Sequence, residues 1–167
     1  MTADTALRAV RGEHAVVVGL ISDTHGLLRP QALAALRGSD FIVHAGDIGD
    51  VAILDALRAI APVTAVRGNN DRSAEFRALP DTEVLQAGDA LVYVIHDVSE
   101  LDLDPATAGF HVVVSGHSHR PVVDARDGVL YVNPGSAGPR RFTLPIAVGR
   151  LRIEGTHVEA AIVELAM

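Results

Sequence analysis

The sequence predicts an α/β fold in which two mixed β-sheets pack face to face with helices on the outside. In the first half of the chain, runs that are apolar on both faces alternate with segments of helical period, which is typical of parallel strands joined by helices. In the second half, strand-forming runs are separated by short turns, which is typical of antiparallel hairpins. At 167 residues, the chain can bury about two thirds of its unfolded surface in one domain.

The first half is predicted to have a βαβαβ order. The three strands are expected in the apolar runs AVVVGLI at 15–21, DFIVHAG at 40–46 and PVTAVRG at 62–68. The two helices are expected in LRPQALAALRG at 28–38 and VAILDALRAI at 51–60. Pro30 suits a first helical turn because the amide hydrogen it lacks would have no partner there, and Asp50 suits the N-cap of the second helix.

The second half is predicted to contain three hairpins and one further strand. The paired runs are TEVLQ with ALVYVIH, PVVDA with VLYVN, and IAVGRLRIEG with HVEAAIVEL, and the single run is HVVVSGH. A mostly polar stretch at 97–109 lies between them. Residues 1–13 are predicted to be an N-terminal tail, and residues 14–167 a single domain.

Composition excludes several classes of protein. A net charge of −7 argues against a nonspecific nucleic-acid-binding surface, which needs clustered basic residues. The chain has no cysteine, so any bound metal must be held by nitrogen and oxygen atoms. No run approaches the roughly 18 apolar residues that a membrane span requires. We therefore expect a cytoplasmic protein without membrane or nucleic-acid partners, in which the long C-terminal strands could provide an edge for homo-oligomer formation.

Polar residues that can bind metals follow five of the predicted strands. Asp23 and His25 in SDTHG follow the first strand, and a single such ending would be ordinary turn chemistry. The others follow the remaining runs in the same way: Asp47, Asn69, His96, and His117 with His119. Because the carboxyl ends of parallel strands lie along one edge of a sheet, we expect all seven side chains to converge.

The predicted donors are two carboxylates, one amide and four imidazoles. This set suits borderline divalent metals such as Mn, Fe, Co, Ni or Zn, and suits Mg²⁺ or Ca²⁺ poorly. Of these, Mn²⁺ is the ion we expect. Seven ligands exceed one tetrahedral site, but two ions that share a carboxylate would use them all. Paired ions of this kind are suited to phosphoryl displacement.

The ordered motifs SDTHG, GDIGD, GNND, the strand-end His96 and GHSH resemble those of the calcineurin-like metallophosphoesterase superfamily. NPGS at 133–136, followed by PRR, is similar to its small bacterial and archaeal YfcE-like phosphodiesterases. The resemblance spans residues 17 to about 142 and implies a four-layer α/β/β/α sandwich with the metal site at the carboxyl ends of the strands.

The resemblance also implies a role for each donor. Asp23, His25 and His119 would hold one metal, Asn69, His96 and His117 the other, and Asp47 would bridge the two. The expected activity is hydrolysis of a small phosphodiester by a hydroxide that bridges the metals, with Asp47, Asn69 and Asn70 as catalytic residues. The alternatives are a phosphomonoesterase that uses the same site and a non-catalytic interaction scaffold like the retromer subunit.

Two positions depart from the family pattern. Many relatives have a general-acid histidine where this chain has Asn70, and an amide cannot donate a proton at pH 7. Relatives also tend to have glycine where this chain has Asp97, which could orient a ligand histidine or face solvent.

Asp50 and Asp71 could orient ligand histidines or cap helices and turns, and His44 is expected to be a buried structural residue.

Overall fold

The computed structural model describes residues 15–167, so the predicted tail at 1–13 lies outside the described residues. The strands, in chain order, are β1 Val16–Ile21, β2 Phe41–His44, β3 Val63–Ala65, β4 Thr82–Ala87, β5 Ala90–Ile95, β6 Val112–Val114, β7 Val122–Arg126, β8 Val129–Asn133, β9 Ala147–Glu154 and β10 His157–Glu164. The helices are α1 Pro30–Leu36, α2 Val51–Arg58 and α3 Pro105–Ala108, and short 3-10 turns span Ala74–Phe76 and Val98–Glu100.

The strands form two five-stranded mixed sheets. The first has the order β10-β9-β1-β2-β3, with β1, β2 and β3 parallel and the hairpin β9–β10 antiparallel against β1. The second has the order β4-β5-β6-β8-β7, with β5, β6 and β8 parallel and the hairpins β4–β5 and β7–β8 antiparallel. These pairings confirm the predicted parallel βαβαβ unit and the three predicted hairpins.

The main core lies between the two sheets, and the first sheet is covered on its other face by helices. Valines and leucines of both sheets, such as Val18, Val92 and Leu151, are fully buried in this interface. Leu36 of α1 and Leu54 and Leu57 of α2 pack on the outer face of the first sheet. The predicted α/β fold of two mixed sheets is therefore confirmed.

The outer layer of the second sheet is thin. Tyr93 and Val113 are covered there by Leu101, Leu103 and Phe110, which come from the stretch between β5 and β6. That stretch forms only a 3-10 turn and the four-residue α3. Within residues 15–167, no helix has both the length and the apolar character required to cross a bilayer.

Candidate metal centre

The loops that follow β1, β2, β3, β5 and β6 converge at one end of the two sheets. The Asp23 amide donates to the Gly46 carbonyl at 3.0 Å, and the Gly116 amide donates to the His96 carbonyl at 2.9 Å. Five of the predicted donors have left-handed backbone, namely Asp23, His25, Asp47, His117 and His119, with φ between 46° and 71°. Such conformations cost of order 1–3 kcal/mol each and cluster at functional sites. Sequence reasoning did not predict this strain.

The first group of side chains contains Asp23, His25 and His119. The Nε2 atoms of His25 and His119 are 3.2 Å apart, and the Oδ1 atom of Asp23 is 3.3 Å from His119 Nε2 and 3.7 Å from His25 Nε2. Asp23 Oδ1 is buried without a hydrogen-bond partner. Burial lowers the pKa of His25, so its nitrogen lone pair is available near neutral pH. An unpartnered carboxylate oxygen between two imidazole nitrogens fits a divalent cation.

The second group contains Asn69, His96 and His117. Asn69 Oδ1 lies 2.9 Å from His96 Nε2 and 3.2 Å from His117 Nδ1. His96 and Asp23 also form a compact set with Asp47, in which one ligand atom from each lies within 4.8 Å of the others. All seven predicted donors are therefore brought together by the fold.

Asp47 lies between the two groups. Its Oδ2 atom is 3.7 Å from His25 Nε2 and 3.4 Å from His96 Nε2. Asn70 holds this carboxylate from the other side, since its backbone amide donates to Oδ1 at 2.9 Å and its side-chain Nδ2 donates to Oδ2 at 3.0 Å. Asn70 thus orients Asp47.

The second group has an electrostatic conflict that a cation would relieve. His96 Nδ1 lies 2.7 Å from the Ala45 carbonyl, to which it donates its proton, so the neutral ring presents a lone pair at Nε2. That lone pair faces the oxygen atoms of Asn69 and Asp47. Burial opposes protonation of His96, but the hydrogen bond to Asp47 and nearby carboxylate charges raise its pKa above the usual value. A proton or a metal ion can therefore stabilise this arrangement.

Several supporting residues were missed by sequence reasoning. The Ser22 hydroxyl donates to Asp23 Oδ2 at 2.6 Å, and the Ser136 hydroxyl donates to the Asp23 carbonyl at 3.0 Å. Asn133 Nδ2 donates to the Gly116 carbonyl at 2.8 Å and so fixes the loop that carries His117 and His119. The NPGS motif, which contains Asn133 and Ser136, was the available signal, but its contacts depend on the tertiary fold.

The structure assigns Asp50 and Asp71 to backbone contacts. Asp50 caps α2 by accepting a hydrogen bond from the Ala52 amide. Asp71 is buried and accepts from the amides of Ile48, Gly49 and Gly68, which ties the two loops that carry Asp47 and Asn69 together. Both therefore support the loops through the backbone.

His44 is buried and structural, as predicted. Its Nδ1 accepts a hydrogen bond from the Gly46 amide at 3.1 Å, and its Nε2 lies 3.0 Å from Thr24 Oγ1. Because Thr24 donates its own hydrogen to the Ile48 carbonyl, His44 carries its proton on Nε2 and is neutral. Burial lowers the pKa of His44 from 6.5 to about 4.

A cavity of about 330 Å³ adjoins the second group. It is lined by Asn69, His96 and His117 on one side, and its remaining walls include Arg67, Asp97, Glu100 and Asp102. Asp97 Oδ2 is 3.6 Å from His117 Nε2, and the same side chain caps the 3-10 turn by accepting from the Ser99 amide. This volume is at the small end of the range of ligand-binding pockets.

Residues 16–156 match the family model described as the calcineurin-like phosphoesterase superfamily domain. The chain is 36% identical to a probable metallophosphoesterase of Methanocaldococcus jannaschii over 152 residues, which cover 83% of this chain and 77% of that protein. It is 26% identical to a phosphodiesterase of the same organism over 137 residues, which cover 71% of this chain and 82% of the relative.

Solved structures share the fold at lower sequence identity. The phosphoesterase YfcE of E. coli superposes with a TM-score of 0.64 and 21% identity, covering 90% of this chain and 100% of the other. Vacuolar Protein Sorting 29 of Cryptosporidium parvum superposes with a TM-score of 0.73 and 19% identity, covering 92% and 100%. A phosphoesterase and a vacuolar protein sorting protein thus share this fold. The fold alone therefore does not determine the function, which has to be argued from the residues of the site.

Proposed function

Because the chain belongs to the calcineurin-like phosphoesterase superfamily, we propose that it is a divalent-metal phosphodiesterase that hydrolyses a small phosphodiester. The observation that carries this proposal is the position of Asp47, whose Oδ2 atom lies within 3.7 Å of a nitrogen in each group of donors. One ion would be held by Asp23, His25 and His119, and the other by Asn69, His96 and His117. Asp47 would be the ligand they share.

The residues present fit such ions. Asp23 Oδ1 is buried and unpartnered, and the lone pair of His96 faces two oxygen atoms, as described above. When bound, two dications would supply positive charge for the phosphate oxygens and lower the pKa of a water molecule. The protein itself fixes the donors, through the hydrogen bonds of His96 to Ala45 and of Asn70 to Asp47. Manganese is the ion we favour, with Fe, Ni, Co and Zn as alternatives.

Two observations favour a small diester with a good leaving group. The adjoining cavity of about 330 Å³ suits a small substrate, and its acidic side chains disfavour a polyanion. Asn70 occupies the position of the family's general acid. Its side-chain amide cannot protonate a leaving group and donates a hydrogen bond to Asp47. A poor alkoxide leaving group needs a proton in the transition state, and general acid catalysis typically contributes ~10²–10⁴-fold. Similarity to the phosphodiesterase of M. jannaschii supports the same class.

The test uses chelator-stripped protein to which divalent ions are returned one at a time. We expect Mn²⁺ to restore hydrolysis of bis(p-nitrophenyl) phosphate and to restore much less hydrolysis of p-nitrophenyl phosphate. Hydrolysis of the monoester alone would replace the proposal with a phosphomonoesterase. No hydrolysis with any divalent ion would contradict an enzymatic function and favour an interaction scaffold.

A further inference from the structure

The segment from Pro139 to Leu144 begins against the loop that carries His25. A Cβ atom added to Gly138 would lie 2.4 Å from the Thr24 carbonyl oxygen and 2.5 Å from that of Asp23, so only glycine permits this close approach. The Arg29 guanidinium donates to the Gly138 carbonyl at 3.2 Å. These contacts place the start of the segment beside the first group of metal-binding residues.

Arg141 follows Gly138 by three residues and is exposed. Its positive charge contributes to the lowered pKa of His25, although burial is the larger cause. Two hydrogen bonds close the turn that follows: the Leu144 amide donates to the Arg141 carbonyl at 3.1 Å, and the Arg140 guanidinium donates to the Leu144 carbonyl at 3.5 Å. The backbone of Arg141 is therefore held by an ordered turn, three residues beyond the contact of Gly138 with the Asp23–Thr24 loop.

Phe142 occupies an unfavourable conformation without any packing to offset it. Its φ of 53° places it in the left-handed region, at the first central position of the turn, where glycine is preferred. Phe142 is 91% exposed, while Phe76 and Phe110 lie in hydrophobic clusters. Among residues 15–167, Phe142 is the one aromatic side chain that is largely exposed. Strain of this kind is found at ligand clamps.

We propose that Arg141 and Phe142 form a substrate platform, in which Arg141 binds a phosphate oxygen and Phe142 stacks on an aromatic ring of the phosphoester. An arginine guanidinium binds phosphate oxygens through paired N–H donors. Two aromatic rings attract each other when they stack with an offset. The cavity beside the second group is lined by four carboxylates and by Arg67, which already donates to one of them, Asp81, so an anionic aromatic group is better placed beside Arg141. This inference rests on the proposed function and narrows the substrate class to phosphodiesters that carry a planar ring.

The experiment compares phenylphosphonate with methylphosphonate as inhibitors of bis(p-nitrophenyl) phosphate hydrolysis by the Mn²⁺-loaded protein. We expect phenylphosphonate to bind the wild-type protein about fivefold more tightly than methylphosphonate, as one aromatic pair allows. Phe142→Ala and Phe142→Leu should abolish this ratio, and Phe142→Tyr should retain it. Arg141→Gln should weaken both inhibitors equally. The matched control is Val123→Ala, which truncates an exposed apolar residue on β7 and should leave the ratio unchanged.

An unchanged ratio in Phe142→Ala and Phe142→Leu would overturn the inference while leaving the proposed function intact. If the wild-type protein hydrolyses no diester, the proposed function fails. Calorimetric titration of the Mn²⁺-loaded protein with each phosphonate then still measures the ratio, and the same comparison of variants decides the inference. Loss of the ratio in the Val123→Ala control would also contradict it.

Discussion

At the residue scale, Asp47 has contacts that the other carboxylates of the site lack. It faces one histidine from each group of donors and is fixed by two hydrogen bonds from Asn70. Burial opposes its ionisation, but the hydrogen bond that a protonated His96 donates, the hydrogen bond from the Asn70 amide and the nearby histidine charges hold its pKa well below the usual value. A carboxylate that stays ionised in this position can serve two cations.

The substitution Asp47→Asn therefore tests the shared ligand. We expect kcat/KM for bis(p-nitrophenyl) phosphate to fall by at least about 100-fold, because in the proposed site both ions would lose a charged ligand. Asp97→Asn is the matched control, since it removes the same charge from a carboxylate 3.6 Å from His117 Nε2, and we expect a smaller loss of about 10-fold, the lower end for a residue that only orients a ligand. Equal losses in the two variants would show that Asp47 is not shared.

The donor residues could be predicted because a polar side chain directly after an apolar run is visible in the sequence. The sequence could not show whether a nearby carboxylate contacts a metal ligand or the backbone. Asp50 and Asp71 accept from backbone amides, and the positions of these amides depend on how the loops cross. The left-handed backbone of the five donors was also beyond prediction. Asp and His adopt this conformation more often than most other non-glycine residues, but it is still uncommon for them, and the surrounding contacts impose it here.

At the element scale, the ends of β2 and β3 must approach each other for Asp47 and Asn69 to share a site. Gly68 allows this approach, since an added Cβ would lie 2.1 Å from both the amide nitrogen and Oδ1 of Asp47. The sequence predicted these strands and all three hairpins from apolar runs and turns. It did not predict that β9 returns to pair with β1, because such a long-range pairing leaves no local signal.

The substitution Gly68→Ala tests this approach of the two strand ends. We expect the free energy of unfolding to fall by at least about 2 kcal/mol, because the added methyl group overlaps backbone that cannot move without disrupting the loop. Urea unfolding in the presence of chelator measures the effect without metal. Gly149→Ala is the matched control, since the nearest atoms to its Cβ would be side-chain carbons at 3.2 Å, and we expect it to lose less stability than Gly68→Ala. Equal stability of Gly68→Ala and the wild type would contradict the packing described here.

At the scale of the whole molecule, His44 couples the stability of the metal-free fold to pH. Its pKa is about 4 in the folded protein and 6.5 in the unfolded chain, so the unfolded chain binds more protons between these values. His44 should therefore make its full contribution to the free energy of unfolding above pH 6.5. This contribution should decrease as the pH falls toward 4, by about 3 kcal/mol in all.

Urea unfolding of the wild type and of His44→Gln between pH 7.5 and 4.5, in the presence of chelator, measures this contribution. Asp23 and Asp47 have lowered pKa values and lose their contributions at lower pH than this window. We expect His44→Gln to be less stable at pH 7.5 but to lose less stability on acidification. Parallel pH profiles for the two proteins would show that His44 is not the group that titrates.

If the seven donors surround two neighbouring cations, both ions should be visible in a crystal. The most direct measurement is an anomalous difference map from a crystal soaked in Mn²⁺. We expect two peaks about 3.5–4 Å apart, the spacing typical of two-metal hydrolytic sites, with Asp47 between them. A single peak, or no peak among Asp23, His25, Asn69, His96, His117 and His119, would contradict the account.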